Sequence, residues 1–156
     1  MTSRVEARIA ELGIELPPSL GAPRSKMRRS TRAGNLLYLS GNGPFRGSQL
    51  VYAGKVGADL TLEQGREAAA LTALNMVRVL LDEGFDLDQV RWVKVLGMVN
   101  SAPDFVEHAA VVNGFSETIV DLFGEAQGLH ARSACGMASM PWNMALEVEA
   151  ICELDY

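Results

Sequence analysis

Apolar residues recur along the chain with two periods, one helical and one of strand type. In "VEARIAELGI" (5–14), Val5, Ile9 and Leu12 fall at helical spacing and Gly13 follows as a stop, predicting a short helix. "LPPSLGAPRSKMRRSTRAG" (16–34) breaks every period with prolines and glycines and predicts an extended lead up to Gly34. "NLLYLSG" (35–41) is a short apolar run closed by a glycine, a strand; "QLVYAGKVG" (49–57) predicts a weaker strand or hairpin arm. "TLEQGREAAALTALNMVRVLLDEG" (61–84) is the clearest helix. Thr61 and Gln64 form a capping-box pattern, Ala69 to Leu81 supply a broad apolar face, and Gly84 ends it. "VRWVKVLGMVNSA" (90–102) alternates and then turns wholly apolar, a strand entering a core.

"APDFVEHAAVVNGFSETIVDLFGE" (102–125) predicts a second long helix starting at Pro103 and Asp104, with Phe105, Ala109, Val112, Phe115, Ile119 and Phe123 inward. "LHARSACGMASMPWNMALEVEAICE" (129–153) holds two strands joined by a loop. Two long helices interleaved with strands predict an α+β layer, both helices on one face of a mixed sheet. The other face then carries apolar residues from several strands and is expected to be buried against another subunit.

Composition narrows the class. With 156 residues and 48% apolar content, one compact domain spanning 1–156 is expected, residues 1–30 forming its N-terminal helix and extended lead. The net charge, 14 − 19 = −5, argues against a nucleic-acid binder that works by bulk charge. No signal-peptide or membrane-spanning run is visible, so no membrane partner and a cytoplasmic location are expected. Cys135 and Cys152 lack CxxC spacing and lie in apolar strand patterns, predicting reduced, buried thiols.

Candidate chemistry is sparse. "GNGPFRG" (41–47) lacks the spacing of a dinucleotide loop and is read as a turn between strands, with Ser40 and Gly41 offering a hydroxyl and an N–H to a ligand. "RSKMRRSTR" (24–32) is either a phosphate-binding arm or a solvated or inter-subunit ion-pair segment, and it lacks aromatics for base stacking. His108 and His130 make a weak metal case, and no Ser–His–acid set is evident from spacing. His108 is expected on an exposed helix face and His130 near a pocket. Arg132 is the lone charge among small residues, sharing a strand face with His130, Ala134 and Gly136. If its strand pairs antiparallel with the last one, Arg132 meets Glu147 or Glu149 in a cross-strand ion pair. Alternatively, it binds a substrate carboxylate bidentately, with a glutamate poised as acid or base.

The strings "AGNLLYLSGNGP", "GREAAALTALNMVRVLL", "VNGFSETIVDLFGE" and above all "ARSACGMASMPWNMALEVEAI" resemble the Rid family, the reactive intermediate deaminases, also called YjgF-like proteins or L-PSP endoribonucleases. The likeness runs from about residue 30 to 153, and the longer lead suggests the longer-chained branch. It implies a chorismate-mutase-like fold, a homotrimer with pockets between subunits, and cofactor-free hydrolysis of 2-imino or enamine acids to 2-keto acids and ammonia. By resemblance, Arg132 binds the substrate carboxylate, Glu147 positions or activates water, Ser40 and Gly41 line the pocket, and Asn113 and the backbone of Ala134 join them. Met27 falls near the family's pocket tyrosine, a departure. A non-catalytic carboxylate sensor, and less readily a ribonuclease or translation inhibitor, remain as alternatives.

Overall fold

The computed structural model describes residues 2–155. The elements are α1 (Arg4–Glu11), β1 (Ser30–Ala33), β2 (Leu36–Asn42), β3 (Phe45–Arg46), β4 (Gln49–Leu50), α2 (Leu62–Asp82), β5 (Val90–Asn100), α3 (His108–Phe123), α4 (Glu125–Gly128), β6 (Ala131–Met137) and β7 (Leu146–Leu154). Five strands form a mixed sheet in the order β1-β2-β7-β5-β6, and β3 pairs with β4 in a separate ribbon.

The clearest expected helix, α2, forms with its expected cap. Thr61 accepts from the Gln64 amide while the Gln64 side chain accepts from the Thr61 amide. Ser3 and Glu6 repeat this box on α1, and Asp88 accepts from the next two amides, Arg4 and Val5. Helices α2 and α3 pack closely because Gly114 lies against the Arg66 carbonyl, where any Cβ would overlap the backbone. They cover one face of the sheet. Trp92 of β5 is buried there, with Phe115 and Phe123 each edge-on at 5.7 Å. Leu146, Val148, Ala150, Cys152 and Leu154 of β7 alternate into the same core, leaving Glu147, Glu149, Ile151 and Glu153 on the opposite face.

That opposite face is apolar in its centre. Leu36 and Tyr38 of β2, Leu96 and Met98 of β5, Cys135 and Met137 of β6 and Ile151 of β7 share it by register. None is fully buried, and Tyr38 is 44% exposed.

Several expectations are corrected. The last two strands do not pair with each other: β5 lies between them, antiparallel to β7 and parallel to β6. The helix α3 is the crossover that a parallel β5–β6 pair requires, which leaves β6 at the sheet edge. Pro103 and Asp104 form a turn, so α3 starts only at His108, and Ala109 lies exposed rather than inward. Strand β1 occupies part of the expected lead, and the segment after Leu50 is mostly irregular, touching the sheet through isolated bridges at Ala53 and Val56. Cys152 is buried as expected, and burial holds its thiol well above the usual range; Cys135 is only half-buried.

Candidate functional site

The residues singled out by sequence gather into two groups on opposite faces of the sheet. On β6, Arg132 and Ala134 point to the helix side, as their register with Val95 and Gly97 requires. On β7, Glu147 is in register with Met98, which is also opposite Cys135 on the other face. Arg132 and Glu147 of one chain therefore cannot hold the same small ligand, and the cross-strand ion pair is excluded.

The first group is built on the edge strand and α3. Arg132 Nη2 donates to Asn113 Oδ1 at 2.7 Å and to the Ala109 carbonyl at 3.1 Å, while Nη1 donates to Ser116 Oγ at 3.1 Å. Ala109, Asn113 and Ser116 form one helical stripe, because residues four and then three apart stack on the same face. All these acceptors are neutral. The half-buried guanidinium has no carboxylate partner among the described residues, and part of its planar fork stays undonated. A cation held by neutral dipoles beside small residues has the chemistry to receive a planar anion.

His130 stands next to this group. Its Nδ1 meets the Gly128 carbonyl at 2.7 Å, and its Nε2 meets Ser116 Oγ at 2.9 Å. Burial lowers its pKa more than the Gly128 hydrogen bond raises it, and the Arg132 charge lowers it further. The Ser116–His130 contact was invisible in sequence, since it joins a helix to a strand entry. The signal that could have found it is the Asn113 to Ser116 spacing. His108 is half-buried rather than exposed and meets Ser101 Oγ at 3.1 Å. Among the described residues, no cluster of His, Cys, Asp and Glu suits a metal ion.

The second group lies where β2 meets β7. A bulge between Leu39 and Asn42 lets Ser40 and Gly41 lie opposite one residue of β7. Gly41 then sits directly against the Glu147 side chain, where a Cβ would overlap the carboxylate. Glu147 is half-buried and has no hydrogen-bond donor among the described residues. Burial raises its pKa, and the nearby Glu149 charge raises it further. A carboxylate so placed is a stronger base than an ordinary surface glutamate once ionised. The Ser40 hydroxyl donates to the Arg28 carbonyl at 2.6 Å and its amide to the Arg29 carbonyl at 2.9 Å, so Ser40 anchors the basic lead here. Met27, in that lead, is 47% exposed.

Comparison with known proteins places these residues in context. A family model described as "YjgF/chorismate mutase-like, putative endoribonuclease" matches residues 6–154. Protein TCP17 of Trypanosoma cruzi is 39% identical over 155 residues, covering 99% of this chain and 96% of that protein. The crystal structure of protein Atu1372 from Agrobacterium tumefaciens, described as of unknown function, is similar at a TM-score of 0.87 and 39% identity, covering 97% of this chain and 92% of that one. A structure from Shewanella oneidensis described as a putative endoribonuclease is similar at a TM-score of 0.90 and 29% identity, covering 97% of this chain and all, 100%, of the other.

Proposed function

Because the chain belongs to the YjgF/chorismate mutase-like family, we propose that it hydrolyses 2-imino or enamine acids to 2-keto acids and ammonia, in pockets completed between subunits of a homotrimer. The observation that carries this reading is the pair of complementary half-sites: a guanidinium without an acid on one face and a basic carboxylate without a donor on the other. Because β6 is an edge strand, a second copy seated on the apolar sheet face and reaching round that edge would bring its own Glu147, Ser40 and Gly41 toward Arg132, Asn113 and Ala134.

In this mechanism the Arg132 fork takes the substrate carboxylate and fixes the plane of the adjoining C=N bond. The protonated imine carbon is electrophilic. Water adds to it as the Glu147 carboxylate of the neighbouring copy removes a proton. Glu147 then returns that proton to nitrogen. The C–N bond breaks as the hydroxyl proton passes to Glu147 and the carbonyl forms, and the departing ammonia takes that proton from Glu147 and leaves as ammonium, restoring the carboxylate. Charge and atoms balance without a cofactor.

The test is a steady-state assay with 2-iminopropanoate generated in situ, paired with calorimetric binding of 2-oxobutyrate. Turnover abolished by Glu147→Gln, with binding retained, supports the deaminase. Binding without turnover replaces it with a carboxylate sensor, the reading that the Met27 departure favours. Absence of both refutes it.

A further inference from the structure

We propose that Ser116 and His130 are positioning residues for Arg132: a neutral His130, fixed in one tautomer, orients the Ser116 hydroxyl, whose oxygen then holds one arm of the guanidinium. The inference rests on Arg132 being the carboxylate receptor, and it adds two residues to that site.

The direction of each hydrogen bond follows from its end. The Gly128 carbonyl can only accept, so the His130 nitrogen facing it at 2.7 Å, Nδ1, carries the hydrogen. In a neutral ring, Nε2 is then an acceptor. The Ser116 hydroxyl, 2.9 Å away, donates to it. With its hydrogen so directed, Ser116 Oγ presents lone pairs to Arg132 Nη1 at 3.1 Å. The chain of bonds thus runs from Arg132 through Ser116 and His130 to the Gly128 carbonyl, and every link has one allowed polarity.

The surroundings keep the ring neutral. From α3, His130 faces Ser116 and the edge of Phe115, ring centroids 6.2 Å apart; from α4 it faces the Gly128 carbonyl; from β6, which follows it, the neighbouring charge is Arg132. Burial and that cation both disfavour a second charge, which supports the neutral tautomer at physiological pH.

Geometry explains why a positioning pair matters here. The two bonds from Nη2 to Asn113 and Ala109 set the approximate plane of the guanidinium, both from one nitrogen. Ser116 ties down the other nitrogen, Nη1, and so narrows the tilt of that plane. Bidentate capture of a carboxylate depends on that plane, whereas simple charge attraction does not.

The test uses the intact protein and 2-oxobutyrate as probe, with dissociation constants from calorimetry. Ser116→Ala and His130→Phe, the latter keeping the ring packed on Phe115, are each expected to weaken binding roughly 3- to 10-fold, the effect of one hydrogen bond. Ser116→Thr, which keeps the hydroxyl, should bind like wild type. The double variant should lose no more than either single one, because the two residues act as one chain. Nitrogen NMR of the two histidines should show the Nδ1–H tautomer for His130, whatever the variants do. The inference is overturned if wild type binds and the single variants bind equally well, if the losses multiply in the double variant, or if His130 carries its hydrogen on Nε2. If wild type does not bind the keto acid at all, the carboxylate-receptor reading fails and the inference falls with it.

Discussion

Replacing Gly41 with alanine isolates the role of Glu147 without touching it. The new Cβ would lie 2.6 Å from Glu147 Cδ and 2.9 Å from Cγ, so the whole end of the side chain must rotate away, not its oxygens alone. Gly41 has no left-handed φ, so the backbone accepts alanine. Restricting the unfolded chain should stabilise by about 0.4–1 kcal/mol. A displaced, off-rotamer glutamate costs about 0.5–1.5 kcal/mol. The two nearly cancel, so stability should stay within about 1 kcal/mol of wild type. Activity should not: moving the proposed base by about 1 Å or more is expected to cost on the order of 100-fold in kcat/KM. The assay is iminopropanoate hydrolysis alongside chemical denaturation. In a Glu147→Ala background, Gly41→Ala should cost no further activity. Wild-type turnover by the single variant, or a loss of activity that merely follows a loss of stability, would refute the reasoning.

Four further outcomes are expected. The acidic limb of kcat/KM should lie above the ordinary carboxylate range, because Glu147 must be ionised and its pKa is raised; Glu149→Gln should move that limb to lower pH in a pH-rate profile. By linkage, a raised Glu147 stabilises the fold most at low pH and loses that contribution as pH rises through its folded value, so Glu147→Gln should melt higher than wild type at neutral pH and equal to it in strong acid. Arg132→Lys should weaken keto-acid binding nearly as much as Arg132→Ala, about 2–5 kcal/mol by calorimetry, with little change in melting, since its present partners are neutral and can turn to water. Mass spectrometry after native thiol labelling should find Cys152 unmodified until the protein unfolds, while half-buried Cys135 reacts first.

The helices were readable because their caps and periods are local: Thr61 with Gln64, and the apolar stripe from Ala69 to Leu81, need no partner to be recognised. The strand order was not. Pairing is set by where α3 returns the chain, and nothing within 129–153 says that β5 will lie between its two strands. Arg132 stood out as a charge among small residues, yet its true neighbours, Asn113 and Ser116, come from a helix whose start was misplaced by Pro103. The Gly41–Glu147 contact depends on a bulge, a feature with no reliable local signature.

The central claim is that Arg132 of one copy works with Glu147 of another. It is tested most directly by combining Arg132→Ala and Glu147→Gln chains in one oligomer. Each variant alone should be inactive. Co-expressed and purified as mixed oligomers, they should regain roughly a quarter of wild-type activity, the random fraction of head-to-tail interfaces that pair an intact Arg132 with an intact Glu147. Mixed oligomers no more active than either parent, with assembly intact, would contradict a site shared between subunits.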